Sequence, residues 1–207
     1  MAKFCTLKLI LLRRVDIMND KDLLNVEEAL KLDREEIKDN FTKYVNPGFK
    51  RMLTLLNFDK KFEKAEGVKL WDSDGNQYLD FLGGFGALNL GHNPPEVIKD
   101  IEKVQQLPNI LQISMGTMTS VAARNLAQLT PGDLTHTFFS NSVTEAVEGA
   151  VKVARAASGK PDIIYTAGSF HGKTMGSLSI TGRSKYQKPF KPLMPASEVV
   201  PFGDTDA

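Results

Sequence analysis

The sequence predicts an α/β fold with a mainly parallel sheet, preceded by an N-terminal segment of helix and β-hairpin. The first observation is a strand-like apolar run at 134–139 that leads through a polar turn into an amphipathic helix at 145–157. The second is another buried strand at 162–166, directly after that helix. Because helices alternate with buried strands in this part of the chain, we expect a mainly parallel sheet that is covered on both faces.

The turn between the first strand and its helix consists of Asn141, Ser142, Val143 and Thr144. A helix that begins here presents unpaired backbone N–H groups and roughly half a positive charge, which together favour an anion such as phosphate. The hydroxyls of Ser142 and Thr144 add two further donors. Ser142 or Thr144 could instead serve only to cap the helix, which is the more common role of such residues.

The second strand runs into a loop at 168–174 that combines small residues with an aromatic ring, an imidazole and a cation: Phe170, His171 and Lys173. The carboxyl ends of parallel strands meet at one edge of a sheet, so both polar loops are expected at that edge. Ligands of open α/β sheets bind there. The two loops together are therefore the candidate ligand site.

The composition excludes several classes of partner. The 207 residues include 26 basic and 25 acidic side chains, a net charge of +1, so we expect neither a polyanion-binding surface nor a nucleic-acid partner. A single cysteine, Cys5, rules out an internal disulfide framework and favours a reducing cytoplasm. The fingerprints of dinucleotide and P-loop sites are missing, and His92 has no second metal-type ligand nearby, so no metal site is predicted.

Residues 1–17 are predicted to be a disordered extension, with Met18 as the biological start. An apolar run in this stretch is similar to a signal peptide, but Lys8 interrupts it and no small-residue cleavage site follows. No other stretch approaches the roughly 20 apolar residues of a membrane-spanning helix. We therefore expect a cytoplasmic protein without membrane association.

Residues 18–95 are predicted to form the helix and hairpin that precede the sheet. Asp33 and Glu36 have the spacing of a capping box at the start of an amphipathic helix, which Asn46-Pro47-Gly48 then ends. The apolar runs within 65–81 flank a polar Asp-Ser-Asp-Gly-Asn turn, which is typical of a β-hairpin.

Three glycines surround Phe85 in the loop at 82–86 and allow a backbone that holds this ring at the tip. The loop could equally be only a flexible turn. Prolines after Asn93 open a predicted helix, and another helix is predicted at 117–129.

Five separate motifs occur in the order that is typical of one enzyme family, and the similarity extends from about Asp33 to the last residue. Through them the chain resembles the class III aminotransferases, which depend on pyridoxal 5'-phosphate (PLP), and most closely their putrescine branch. The motifs are Val-Asn-Pro-Gly-Phe at 45–49, Leu-Gly-Gly-Phe-Gly at 82–86, Phe-Phe-Ser-Asn-Ser-Val-Thr-Glu at 138–145, Phe-His-Gly-Lys-Thr at 170–174 and Lys-Pro-Phe-Lys-Pro-Leu-Met-Pro at 188–195.

The resemblance implies a role for each candidate residue of the cofactor site. The backbone N–H groups of Val143 and Thr144, with the hydroxyls of Ser142 and Thr144 nearby, would hold the phosphate of PLP. Phe170 would stack on the cofactor ring with His171 in the same site, and Glu145 would support the site from behind. The family normally has glycine where this chain has Val143, and a β-branched residue would be strained there if the turn required a positive φ.

The resemblance also implies a substrate side. Phe85 would form part of the substrate pocket wall, and Lys173 occupies a position that faces substrate. Acetylornithine-type members carry arginine there to pair with a carboxylate, whereas lysine suits a diamine such as putrescine, with 2-oxoglutarate as the acceptor. Ornithine, acetylornithine and 4-aminobutyrate remain alternative substrates.

Two functional groups of the family have no counterpart in this chain. The lysine that forms a Schiff base with PLP and the aspartate that pairs with its pyridinium nitrogen both follow residue 207 in complete members. Residues 96–207 are therefore expected to form an incomplete PLP-binding large domain, and residues 18–95 to contribute to a small domain and to dimer contacts. We expect a homodimer at full length, and we expect the 207-residue chain to be catalytically inactive alone; a non-catalytic truncated product is the remaining alternative.

Overall fold

The computed structural model describes residues 23–108 and 115–207. The chain divides into two compact units, Met1–Pro108 and Asn109–Ala207. The predicted extension at 1–17 and the proposed start at Met18 lie outside the described residues. The domain boundary predicted between residues 95 and 96 stays a prediction.

The described part of the first unit begins with two short helices whose N-termini are capped by the side chains of Asn25 and Asp33. Helix α1 spans Val26–Lys31 and α2 spans Arg34–Asn40, and a single π-helical turn, Phe41–Val45, continues α2. At α2, the N–H of Glu36 donates to the Asp33 carboxylate and the N–H of Asp33 donates to the Glu36 carboxylate, both at 2.8 Å. The capping box predicted from these two residues is confirmed.

Asn46 begins a helix as well as ending one. The predicted stop at Asn46 is confirmed, but its side chain also accepts a hydrogen bond from the N–H of Phe49 at 2.9 Å. Helix α3, Pro47–Leu55, follows at once with proline in its first turn. Proline is favoured at this position because its missing N–H would have no partner there.

The predicted hairpin is part of a three-stranded antiparallel sheet. Strand β2, Lys69–Asp72, pairs with β3, Gln77–Leu79, across the polar turn, which confirms the hairpin. Strand β1, Phe62–Glu66, pairs with the other edge of β2 and was not expected from the sequence.

Asp72 organises the turn of this hairpin. Its side chain is buried, and its carboxylate accepts hydrogen bonds from the Tyr78 hydroxyl at 2.6 Å and from the Asn76 and Asp74 N–H groups at 2.9 and 3.0 Å. The Tyr78 hydroxyl, followed by the donors of Asn76 and Asp74, lowers the pKa of Asp72 from its ordinary value of 3.8 to about 2.

The first unit ends with helix α4, Pro95–Val104, whose predicted proline start is confirmed. In the second unit, α5 spans Thr117–Leu129, the range predicted from the sequence. Helix α6 spans Val143–Ser158, and Gly159 ends it in the left-handed conformation. None of the described helices combines the length and the apolar character needed to cross a bilayer.

The second unit contains a parallel pair of strands. Strand β4, Ile163–Thr166, lies beside β5, Ser197–Val200, in parallel register. The connection between them carries two short helices, α7 at Met175–Ser179 and α8 at Ser184–Gln187, and a 3-10 turn at Lys188–Phe190. The predicted α/β class and the strand predicted at 162–166 are confirmed.

The strand predicted at 134–139 is not formed. In the part of the chain that the structure describes, no strand pairs with this segment, and Leu134 and Phe138 are 65% and 77% exposed. The ring of Phe138 instead lies against Gly149 of α6, where a Cβ atom would be 3.2 Å from the ring. Aromatic and β-branched residues favour a strand only where a neighbouring strand supplies hydrogen bonds and a packing surface.

Most of the buried residues of the second unit lie at 177–181. Leu178 and Ile180 alternate there with hydroxyl-bearing residues, and Thr181 has no exposed surface. The Ser179 hydroxyl donates to the Met175 carbonyl at 2.6 Å. Because the buried hydroxyls have partners, burial does not leave them unsatisfied.

We predict that the first unit loses stability in acid through Asp72. A carboxylate whose pKa is lowered by folding stabilises the native state above its unfolded pKa, and this contribution disappears as the pH falls from 3.8 towards about 2. Asp72→Asn should therefore flatten the pH dependence of the unfolding free energy in this range. Trp71, the single tryptophan and the neighbour of Asp72, reports unfolding by fluorescence in urea.

The exposed turn residue Asp74 provides the matched control, because its carboxylate accepts no hydrogen bond from the described residues. In Asp74→Asn, the unfolding free energy should depend on pH as steeply as in the wild type. If this pH dependence were equally steep in the wild-type and Asp72→Asn proteins, the role assigned to Asp72 would be contradicted.

Candidate functional site

The N-terminal turn of α6 leaves two backbone donors open. The Ser142 side chain caps the helix by accepting from the N–H of Glu145 at 3.3 Å, and the Glu145 carboxylate accepts from the N–H of Asn141 at 2.8 Å. The N–H groups of Val143 and Thr144 donate to no atom of the described residues. A helix of 16 residues adds its positive end to these two donors. The turn therefore combines a capped helix with two open backbone donors at its positive end.

Val143 sits in this turn without strain. It is the first residue of α6 and is not among the non-glycine residues with positive φ. The condition under which a β-branched residue would have distorted the turn is therefore absent. The Val143 side chain is 77% exposed, so it does not crowd the helix.

The Thr144 side chain points to the loop that follows β4. Its hydroxyl lies 2.6 Å from the Ser177 hydroxyl and 3.0 Å from the Thr174 hydroxyl. One turn further along α6, the Glu148 carboxylate accepts from the Thr174 hydroxyl at 2.5 Å and from the Ser177 N–H at 3.0 Å. These contacts bring the two loops that the sequence singled out, 141–144 and 168–174, next to each other.

Phe170 and Lys173 meet around Tyr186. The rings of Phe170 and Tyr186 pack edge to face with centroids 6.2 Å apart. The Lys173 ammonium lies 5.1 Å from the centroid of the Tyr186 ring, within the range of a cation–π contact. Phe170 keeps 56% of its surface exposed, so much of the residue is accessible to a ligand.

The backbone of His171 is fixed by a buried hydroxyl. The N–H of His171 donates to the Thr181 hydroxyl oxygen at 3.1 Å, and Thr181 also lies 3.1 Å from the Gly172 carbonyl. The imidazole of His171 makes no hydrogen bond with the described residues. Its predicted place in a cofactor site therefore rests on its position in the loop.

Phe85 belongs to the first unit and lies at the tip of a left-handed loop. Its φ and ψ are 57° and 36°, and it is 91% exposed. The preceding Asp80 holds the loop, because its carboxylate accepts from the N–H groups of Leu82 and Gly83 at 2.8 and 3.0 Å and contacts His92 Nε2 at 2.9 Å. The Gly83 N–H and then His92 lower the pKa of Asp80.

An apolar groove of about 810 Å³ runs beside this loop, and Phe85 forms part of its wall. Other aromatic and aliphatic side chains of the first unit complete the wall, including Phe49, Met52, Leu56 and Phe81. A groove with this lining suits apolar parts of a ligand. Within residues 23–108 and 115–207, no group of three or more His, Cys, Asp and Glu side chains is arranged to hold a metal ion.

Sequence reasoning missed the residues that join the two loops. These are Glu148, Thr174 and Ser177. Thr181 and Tyr186 were missed as well, and they contact residues of the second loop. A signal was present, because Thr144 and Glu148 are four residues apart and therefore share one face of α6. Gly172 and Gly176 repeat that spacing in the loop that packs on this face.

We predict that glycine is more stable than alanine at position 85. A side chain in the left-handed region costs about 1–2 kcal/mol, a cost that glycine avoids. Phe85→Gly and Phe85→Ala remove the same aromatic ring, so their comparison isolates the backbone. The Gly variant should be more stable by about 1 kcal/mol in urea unfolding followed by Trp71 fluorescence.

Ala87 provides the control position, since its φ is −80°. Ala87→Gly should lower the stability, as glycine does at an ordinary backbone position. If the Phe85→Ala variant were as stable as the Phe85→Gly variant, or more stable, a left-handed backbone at Phe85 would be refuted.

Comparison with known proteins identifies the family. The family model described as "Aminotransferase class-III" matches residues 55–207. The chain belongs to the class III aminotransferases. Aminotransferase PigE of Serratia sp. (strain ATCC 39006) is 42% identical over 177 residues, which are 84% of this chain and 21% of PigE. The class III family and its cofactor PLP, both inferred from the sequence motifs, are confirmed.

Solved structures confirm the fold of the family. The ornithine aminotransferase from Toxoplasma gondii ME49 matches with a TM-score of 0.73 and 25% identity, over 88% of this chain and 44% of that protein. The taurine:2-oxoglutarate aminotransferase from Bifidobacterium kashiwanohense, in complex with PLP and glutamate, matches with a TM-score of 0.69 and 25% identity, over 82% of this chain and 38% of that protein. The chain thus spans less than half the length of these proteins.

Proposed function

We propose that this chain supplies the phosphate-binding side of the PLP site in an aminotransferase. The observation that carries the proposal is the N-terminal turn of α6, where the N–H groups of Val143 and Thr144 are open and the loop with Phe170 lies alongside. When bound, PLP supplies the electron sink for amino-group transfer. The residues of this chain fit its phosphate and one face of its ring.

Each residue of the turn has a defined task in this proposal. The N–H groups of Val143 and Thr144 donate to phosphate oxygens, and the positive end of α6 stabilises their charge. The Ser142 hydroxyl accepts from the Glu145 N–H as a cap and keeps its own proton available for the phosphate. The Glu145 carboxylate holds the Asn141 N–H and so fixes the entry of the chain into the helix.

The exposed part of Phe170 is the proposed stacking surface for the cofactor ring. An edge-to-face contact with Tyr186 holds the ring in place. His171 follows directly and keeps its imidazole in the same loop, where its backbone is held by Thr181. The proposed site therefore has a ring platform whose position is set by packing within the second unit.

The proposed substrate is a diamine such as putrescine, with 2-oxoglutarate as the amino acceptor. Lys173 supports this choice, because its ammonium lies over the Tyr186 ring and offers no planar fork for a substrate carboxylate. In this proposal Phe85 forms part of the apolar wall of the substrate pocket, as it does in the groove of the first unit. Ornithine is the second candidate, since an ornithine aminotransferase is among the similar structures.

We propose that the full-length enzyme supplies the remaining groups of the PLP site. The lysine that anchors PLP and the carboxylate for its pyridinium nitrogen would come from outside these 207 residues, and the enzyme would act as a cytoplasmic homodimer. On this proposal the 207-residue chain binds the phosphate but does not catalyse amino transfer alone.

We predict that pyridoxine 5'-phosphate binds the 207-residue chain more tightly than pyridoxine. Neither compound has an aldehyde, so reaction with surface lysines does not obscure binding. Val143→Pro removes one N–H donor at the first helical position, where proline is favoured, and Ser142 already has the extended backbone that a following proline requires. A hydrogen bond to a charged group contributes about 1.5–3 kcal/mol, so this variant should lose about tenfold or more in affinity for the phosphate compound.

Calorimetric titration measures these affinities, with Val143→Ala as the control that keeps the N–H group. The alanine variant should bind like the wild type, and pyridoxine should bind all three proteins equally. Equal affinity of the wild type for the two compounds would overturn the proposed phosphate site.

A further inference from the structure

Glu148 makes two of the contacts that hold the two loops of the site together. It is half-buried on α6, one turn after Thr144, and its Oε1 atom accepts from both the Thr174 hydroxyl and the Ser177 N–H. Ser177 has no exposed surface. The Ser177 hydroxyl returns to α6 by contacting the Thr144 hydroxyl at 2.6 Å. We call Thr144, Glu148, Thr174 and Ser177 the polar clasp.

Two glycines allow the loop to come this close to the helix. A Cβ atom on Gly172 would collide with the Thr144 side chain, and a Cβ atom on Gly176 would collide with the Glu148 carboxylate. The loop backbone therefore lies directly against the face of α6 that carries Thr144 and Glu148. This close approach depends on the absence of side chains at both positions.

The clasp also compensates a charge near the anion position. The Thr174 hydroxyl, and after it the N–H groups of Ser177 and Gly176, lower the pKa of Glu148, so its carboxylate is ionised at neutral pH. Donors directed at a carboxylate stabilise its negative charge locally. Because donors of the loop stabilise its charge, the Glu148 carboxylate should repel an anion at the helix end, one turn away, less strongly.

We propose that Glu148 is a positioning residue that couples phosphate binding at the N-terminus of α6 to the placement of the loop at 170–177. This inference rests on the proposed function. Glu148 does not touch the cofactor in this scheme; it acts through Thr174 and Ser177 to hold Phe170 and Lys173 beside the phosphate position. Coupling of this kind is reciprocal. A ligand bound at the helix end should therefore protect the loop from amide exchange, and loss of the polar clasp should weaken ligand binding.

Amide hydrogen exchange of the 207-residue chain tests the coupling, with and without pyridoxine 5'-phosphate. In the wild type, the ligand should slow exchange in the peptide that contains residues 170–177. Glu148→Ala should speed exchange there without ligand and reduce affinity about three- to tenfold, the effect of one or two ordinary hydrogen bonds. Glu148→Gln keeps an acceptor oxygen and should recover part of the affinity.

Three further variants separate positioning from general stability. Gly176→Ala leaves Glu148 in place but forces the loop away, and should reproduce Glu148→Ala. Val151→Ala destabilises the same helix from a buried position outside the clasp, and should lower the melting temperature while keeping ligand affinity. Glu102→Gln changes an exposed carboxylate of the first unit and should behave like the wild type.

The outcomes distinguish this inference from the proposed function. If the wild type prefers the phosphate compound and Glu148→Ala keeps its full affinity and loop protection, the positioning role is overturned while the phosphate site stands. If Val151→Ala lost as much ligand affinity as Glu148→Ala, the positioning role would also be overturned, because a general loss of stability would then explain the effect. If the wild type shows no preference for the phosphate compound, the proposed function falls, and the coupling falls with it.

Discussion

The hydrogen bonds of the Glu148 carboxylate to Thr174 and Ser177 are the interaction on which the candidate site depends. They join the helix that carries the open N–H groups to the loop that carries Phe170, His171 and Lys173. The Thr144 hydroxyl contacts the same two residues, so the helix and the loop are joined at two positions. Together these contacts place the proposed phosphate-binding turn next to the loop with the proposed ring platform, two of the features that a PLP site needs.

The same physical device recurs in the first unit. Asp72 gathers the donors of the hairpin turn, and Asp80 gathers the N–H groups at the start of the loop with Phe85. In each case a carboxylate accepts several hydrogen bonds from a tight turn, and these bonds lower its pKa. These two turns are thus held by ionised carboxylates that accept several hydrogen bonds each.

The sequence predicted the features that depend on local interactions. The capping box of Asp33 and helices α5 and α6 were foreseen, because capping and helical periodicity act within a few residues. The prediction of a strand at 134–139 was wrong, because its residues favour a strand but no described strand lies beside them. Glu148 was missed for a similar reason: its partners Thr174 and Ser177 are distant in sequence, and only the folded loop brings them together.

Val143 shows how a family pattern and a structure can differ without conflict. The family has glycine there, yet the helical backbone at Val143 accepts a β-branched residue. What the proposed phosphate site needs from this position is a backbone N–H, and every residue except proline supplies one. The side chain is free to vary because it points to solvent.

The N–H groups of Val143 and Thr144 are the proposed phosphate donors, and their own NMR resonances test this role most directly. A chain labelled with ¹⁵N-valine and ¹⁵N-threonine would be titrated with pyridoxine 5'-phosphate and followed by NMR. Strengthened hydrogen bonding should move the amide protons of Val143 and Thr144 downfield, and pyridoxine should leave them in place. Unchanged resonances of both residues at saturating ligand would contradict this role.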